Sequence, residues 1–338
     1  MIESLLAGTL LASLLLATLW GALALGHRLP VTPGIRWLAV IGWLVAGGVW
    51  WLLAWQGARL APLAGMAIQM AALLAWWRQL RPARDLDWAD DVAHLATGEV
   101  EGHRLILHHV RNFDWQTPDR ARMAWDRREY DLRSLESVDL FVSRWGRPGI
   151  AHVLLSFGFA DASGEIDDFL AFSVEVRRER HEQFSEIGGF FKQYELAIIA
   201  TDERDAVRLR SNVRGEAVTL YRVLLNAFDR RALLLALVEE ANGLEAAPRF
   251  YHTVTANCTT LVFAMMRRII EGLPMDHRLL LSGLLPGYVH DHGGLVPGFS
   301  LGELRRRGDI TERARQAHDA PDFSRRIREG VPGWSGPS

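Results

Sequence analysis

Three long apolar stretches open the chain, and the pattern changes after them. Residues 4–26 carry no charge and are dense in Leu and Ala; residues 37–56 are a second uncharged stretch rich in Trp, Leu and Val. Residues 60–77 form a third, shorter one, with Gln69 its most polar residue. A membrane span needs about 20 apolar residues, so the pattern predicts two to three transmembrane helices within residues 1–84. Trp37, Trp50, Trp51, Trp55, Trp76 and Trp77 gather toward the segment ends, as interfacial aromatics do. Met1-Ile2-Glu3 lacks the positive start of a signal peptide.

From residue 85 the period shortens. Residues 105–111, 151–159, 169–177, 194–200 and 217–223 read as strands, and the turn residues of Ala160-Asp-Ala-Ser-Gly-Glu165 join the second and third into a hairpin. Residues 230–241 read as a helix ending at Asn242-Gly243, and residues 261–270 as an amphipathic one. Strands first and helices after them predict an α+β domain, an antiparallel sheet with helices packed on it, over residues 85–305. Residues 306–338, rich in arginine, read as a peripheral C-terminal tail with a frayed end.

The chain has 338 residues, a net charge of −2 and no basic stripe, which leaves nucleic-acid binding without electrostatic support. Lys192 is the sole lysine among scattered arginines. Arg28 and Arg36 between the first two spans, and Arg78, Arg81 and Arg84 after the third, would by charge count alone leave the large domain cytoplasmic.

Cys258 is the single cysteine. It can form no intrachain disulfide and no Cys-rich metal site. It lies in Asn257-Cys258-Thr259-Thr260, just ahead of the amphipathic helix, where backbone N–H groups and the helix dipole stabilise a thiolate. A small buried hydrophobe is the alternative role for such a residue. Alternation puts Ser173, Glu175 and Arg177 on one face of their strand and Leu170, Phe172, Val174 and Val176 on the other. If His152 shares the polar face, a His–carboxylate contact would orient an imidazole base for Cys258. Glu175 can also serve as an ordinary ion-pair residue, and Glu195 and Asp202-Glu-Arg-Asp205 read as turn and ion-pair residues. His108-His109 and His290-Asp-His292 are close pairs, without helical His-Glu-x-x-His spacing. No metal and no cofactor are expected.

Val110-Arg-Asn-Phe-Asp-Trp115, Ala151-His152, Phe172-Ser-Val-Glu-Val-Arg177, Gly189-Phe-Phe-Lys-Gln-Tyr-Glu195, Asp202-Glu-Arg-Asp205 and Phe250-Tyr-His-Thr-Val-Thr-Ala-Asn-Cys-Thr-Thr260 together resemble the Lnb N-terminal periplasmic domain family. These are bacterial envelope proteins related to a lipoprotein N-acyltransferase. The resemblance covers about residues 100–300 and implies a permuted papain-like (NlpC-like) fold, with the histidine strand before the cysteine helix. It implies Cys258 as nucleophile, His152 as base and Glu175 as third member. Ser173, Asn257, Tyr251, Tyr194 and Arg177 follow as supporting or substrate residues. It implies a periplasmic domain on the bacterial inner membrane, which three spans with a cytoplasmic N-terminus deliver. The expected activity is a thiol acyltransferase or hydrolase working through an acyl-thioester on lipoproteins or membrane lipids. A papain-like peptidase or amidase on envelope peptides, or a non-enzymatic membrane-tethered binding module, are the alternatives.

Overall fold

A computed structural model describes residues 2–146 and 149–334. The frayed end expected of the C-terminus falls on residues 335–338, outside the described residues. The chain divides into two compact units, Met1–Ala83 with Phe184–Tyr194, and Arg84–Gln183 with Glu195–Ser338. The sequence boundary at 84 therefore stands one residue from the structural one. The insertion of Phe184–Tyr194 in the first unit was not foreseen.

The first unit is built on α1 (Ile2–Arg28), α2 (Pro33–Trp55) and α3 (Leu60–Gln79), all three long and apolar enough to cross a membrane. Leu16, Leu38, Leu60 and Ile68 point outward with no protein cover, as lipid-facing side chains do. Small residues let the helices approach. A Cβ on Gly47 would come within 2.3 Å of the Thr18 hydroxyl. Polar groups cross-link the same faces, with Trp43 Nε1 donating to Thr18 O at 2.9 Å and Trp50 Nε1 to Gln69 Oε1 at 2.9 Å. Gln69, the outlier in the third stretch, thus has a partner inside the helix group.

The second unit centres on a mixed sheet. Its strands are β1 (Thr97–Glu101), β2 (Arg104–Arg111), β5 (Trp125–Asp131), β6 (Leu135–Arg144), β7 (Ala151–Ala160), β8 (Ile166–Arg177), β9 (Glu195–Asp202) and β10 (Ala217–Val223), while β3 (Asp114–Thr117) and β4 (Arg120–Arg122) make a separate ribbon. The order is β1-β2-β9-β8-β7-β6-β10, with β5 paired to β2. The expected antiparallel sheet needs one correction: β2 and β9 run parallel where Arg111 meets Thr201. The β7–β8 hairpin closes as its turn residues require. Asp161 Oδ1 accepts from the Ser163 and Glu165 N–H groups, and Gly164 takes a left-handed φ of 89°.

Both faces of this sheet are covered. Val153, Leu155 and Phe157 of β7 and Phe172 and Val174 of β8 face one core. That core also holds Leu233, Leu234, Leu237 and Ala241 of α5 (Ala227–Ala246), Phe263 and Met265 of α6 (Thr260–Ile269), and Tyr288 of α7 (Leu285–Asp291). α5 does not break at Asn242-Gly243. Asn242 is held inside the helix by a two-way bond to the backbone of Gly98, Nδ2 to O at 2.7 Å and Oδ1 from N at 2.9 Å.

The opposite face carries a second core of Phe141, Leu154, Ala171 and Leu220 from the sheet and Ala206 and Val207 from α4 (Glu203–Arg208). After α8 (Leu301–Gly308), it is completed by Ile310, by Ala314 of α9 (Thr311–Gln316), by Phe323 of α10 (Phe323–Arg326), and by Ile327 and Val331. The segment 306–338, read as a peripheral tail, is instead a structural layer as far as residue 334. Its apolar residues are too widely spaced among arginines to give a clear periodic signal.

Candidate active site

Alternation places His152, Leu154 and Ser156 of β7 on the same sheet face as Ala171, Ser173 and Glu175 of β8, facing the second core rather than solvent. His152 is buried, Ser173 is 3% exposed, and Glu175 is half-buried. Ser173 Oγ donates to Glu175 Oε1 at 2.5 Å. With that proton committed, Ser173 Oγ accepts from His152 Nε2 at 2.7 Å, and Glu175 Oε1 lies 3.1 Å from the same nitrogen. Nε2 therefore carries the ring proton, and Nδ1 is left as the basic nitrogen.

The hydrogen-bond ladder between β7 and β8 ends at Leu154↔Ser173. Beyond it, Cys258 fills the gap: its sulfur accepts from the Val153 N–H and hydrogen-bonds His152. Cys258 is half-buried and stands two residues ahead of α6, just before the helix as the sequence pattern placed it. Asn257 is the cap that puts it there. Asn257 Oδ1 accepts from the Thr259 and Thr260 N–H groups, both at 2.9 Å, and the Thr260 hydroxyl accepts from the Asn257 N–H at 3.1 Å. This reciprocal pair is a capping box with threonine in the third position. Asn257 Nδ2 also donates to Thr253 O at 2.6 Å, staking the preceding loop.

The charges of these groups support one another. Burial pushes the Cys258 thiol up, yet the hydrogen bond and charge of His152, then the Val153 and Thr259 donors, bring it below the usual thiol range. Burial and the Arg210 charge push His152 down, but Glu175 and Cys258 outweigh them and raise it. Burial likewise pushes Glu175 up, and His152, Arg210 and Ser173 reverse this to hold it well below the usual carboxylate range. A thiolate beside an imidazolium, with a carboxylate behind it, is the charge state these shifts favour.

Arg210, Glu216 and Ser143 are site neighbours that the sequence reading missed. Arg210 is buried in a π-helical turn, Leu209–Val213, with Nη2 3.6 Å from Glu175 Oε1 and Nη1 3.1 Å from Glu216. Ser143 on β6 donates to Glu216 at 2.5 Å. A wide helical turn is frequent at functional sites, but it leaves no mark in the local sequence. No alternation or motif could have singled out Arg210.

Other predicted residues fall elsewhere. Arg177 is on the same strand face as Glu175, but its guanidinium donates to Val92 O at 3.1 Å and Ala93 O at 2.8 Å and lies 4.4 Å over the Trp88 ring. It ties down the chain entering the domain. Tyr194 is fully buried and its hydroxyl accepts from the Ser185 N–H at 2.8 Å, closing the Phe184–Tyr194 segment. Tyr251 is half-buried and packs on the first core, as Cys258 does. Asp205 and Glu203 are ion-pair residues: Asp205 takes Arg111 in a two-point contact at 2.9 and 3.0 Å, and Glu203 takes Arg328.

Residues 121–283 match the family described as the Lnb N-terminal periplasmic domain. The matched stretch runs from β4 to the turn before α7 and contains His152, Ser173, Glu175 and Cys258. No curated protein and no solved structure matches the chain. With three apolar helices ahead of that stretch, the chain is an inner-membrane protein whose soluble part, similar to that family over residues 121–283, lies in the periplasm.

Proposed function

We propose that the domain is a thiol acyltransferase or hydrolase that works through an acyl-thioester on Cys258, with lipoproteins or membrane lipids as substrates at the periplasmic face. The observation that carries this reading is the committed proton of His152 Nε2. Ser173 and Glu175 occupy that nitrogen, which leaves Nδ1 for the thiol of Cys258. The order of parts, a histidine strand ahead of a cysteine helix, supports a permuted papain-like arrangement.

The chemistry follows from those positions. The Cys258 thiolate attacks an ester or amide carbonyl carbon and forms a C–S bond. The leaving alkoxide or amine takes the proton from His152 Nδ1 as its bond to carbon breaks. An acceptor amine or water then attacks the thioester, returns a proton to Nδ1 and releases the thiolate. Glu175, through Nε2, holds the ring orientation and offsets the imidazolium charge. Two helix-start N–H groups, those of Thr259 and Thr260, are engaged by Asn257, so the Cys258 N–H is the donor left for a developing oxyanion.

The test is intact-mass spectrometry of the full chain incubated in bilayers with phospholipid and a diacylated lipopeptide. The expected result is an acyl adduct on the native chain that Cys258→Ala abolishes. An adduct that survives the substitution overturns the assignment. Acyl-amide product supports transfer and free fatty acid supports hydrolysis; cleavage of an envelope peptide with no acyl adduct would favour the peptidase alternative. Full biological activity of a Cys258→Ala/His152→Ala variant would make the domain a binding module.

A further inference from the structure

The segment Phe184–Tyr194 leaves β8 and returns to β9, yet it packs with the apolar helices. Phe191 is buried in a cage of ring contacts, 6.2 Å from Trp20, 5.7 Å from His27 in a stacked arrangement, and 6.4 Å from Trp77 edge-on. His27 Nδ1 and Gln193 Oε1 are 2.9 Å apart. Lys192 Nζ donates to Trp77 O at 3.0 Å and lies 4.9 Å from its ring.

These contacts fix a depth. From Glu3 to Trp20, α1 rises about 26 Å at 1.5 Å per residue, against a hydrocarbon layer of about 30 Å. Trp20 therefore sits near the far edge of the apolar layer, and Trp77 is two residues from the end of α3. Tryptophans at such positions mark the water–lipid boundary. Phe191, held by both, brings the whole segment to that level.

The outer side of the segment carries three large apolar residues beside the exposed Glu186. Phe184 is 54% exposed, Ile187 53% and Phe190 42%. Basic groups lie near the same helix ends: Lys192 is tied to Trp77 O, Arg28 is the last residue of α1, and Arg81 follows the end of α3 by two residues. Burial, with the charges of Arg81 and Arg28 added to it, lowers the Lys192 pKa. An apolar face rimmed by cations at the level of the headgroups is the composition of an interfacial membrane element.

We propose that Phe184–Tyr194 is a second membrane contact of this protein, in which Phe184 and Ile187 enter the acyl–headgroup boundary of the periplasmic leaflet and Lys192, Arg28 and Arg81 receive phospholipid phosphates. The occupant is phospholipid. The proposal stands apart from any chemistry at Cys258.

Because Cys258 is the sole cysteine, Cys258→Ala yields a full chain into which one reporter thiol can be placed. Ile187→Cys in that chain is labelled with an environment-sensitive nitrobenzoxadiazole dye and reconstituted into phosphatidylethanolamine/phosphatidylglycerol vesicles. Asp319→Cys, 89% exposed on its side chain, is the aqueous control. The expected result is blue-shifted emission at position 187 and several-fold stronger quenching by brominated phospholipid than at position 319. Water-like emission at 187, quenched by aqueous iodide as strongly as at 319, overturns the proposal. So does emission that turns apolar only after a second protein is added. Phe184→Cys repeats the measurement at a neighbouring position and guards against a local effect of one label.

Discussion

The second face of the sheet holds two polar clusters built from the same strands, and they have opposite properties. Toward one end of β7, Asp139, Ser156, Glu203 and Arg328 are sealed: each is no more than 2% exposed. Arg328 donates Nε and Nη2 to Asp139 at 3.0 and 2.8 Å and Nη1 and Nη2 to Glu203 at 2.7 and 2.5 Å, with Phe169 3.7 Å under its plane. Trp334 Nε1 and Ser156 Oγ supply further donors to the two carboxylates. Toward the other end, His152, Ser173 and Glu175 meet a half-buried thiol, and Glu175 sees Arg210 only at 3.6 Å. In the first cluster one guanidinium serves two carboxylates, both of which are saturated with donors and buried. In the second, a histidine and a half-buried thiol share a hydrogen bond, with one carboxylate behind the imidazole. Burial alone does not separate a structural ionic cluster from a reactive one. Saturation of its hydrogen bonds does.

Substitutions can break this contrast from either side. Cys258→Ala should lower acyl transfer on the order of 10⁵-fold or more while leaving the thermal midpoint close to that of the native chain, as measured by turnover and by circular dichroism melts. A large fall in the melting temperature would instead make Cys258 a packing residue.

Arg328→Ala should do the reverse. It leaves Asp139 and Glu203 buried without their counter-ion, which costs about 3–5 kcal/mol in denaturant unfolding. Burial already pushes Asp139 above the usual carboxylate range. An acid whose folded pKa is raised binds its proton more tightly in the folded chain, so the deficit should be greatest near neutral pH and shrink as pH falls toward the unfolded value. A deficit that is independent of pH would mean that packing on Phe169, not charge, is what Arg328 supplies.

Glu175→Gln should lower turnover by roughly 10²–10⁴-fold. It should also move the alkylation of Cys258 by iodoacetamide. In the native chain that rate should reach its plateau below the usual thiol pKa of about 8.5, because the thiol is lowered and His152 is raised. Without the carboxylate, His152 falls and the thiol rises, so the alkylation midpoint moves to higher pH and the pH–turnover bell, which needs both thiolate and imidazolium, narrows from both sides. An unchanged profile would place Glu175 outside the proton relay. The smallest effect is expected of Asn257→Ala, about 1 kcal/mol of helix-start stability with a partial loss of turnover, read by melting and by rate.

Periodicity and local chemistry explain what was legible. Apolar length defined the three helices, alternation defined β7 and β8 and put Ser173 and Glu175 on one face, and a lone cysteine ahead of an amphipathic run pointed to residue 258. β6 went unread although it lies next to β7, because Leu135-Glu-Ser-Val-Asp139 mixes polar residues destined for the buried second face with core ones. Asp139 is buried there as the partner of a distant charge, and a partner 189 residues away leaves no local trace. The same reason hid the structural role of the arginine-rich C-terminal segment. Tyr194 and Arg177 share strands or motifs with site residues, but their side chains are spent on Ser185, Val92 and Ala93.

The distance in sequence between Asp139 and Arg328 also sets a clock. A chain synthesised at about 5–20 residues per second exposes Asp139 roughly 10–40 s before its guanidinium exists. Throughout that interval the second face of the sheet has neither its apolar lid nor its counter-charge. The strands must be held open, in water or by a chaperone of the secretion route, until the last layer arrives. Completion of this fold is therefore tied to the arrival of residues 310–331, and a chain cut short before them leaves the second face of its sheet uncovered.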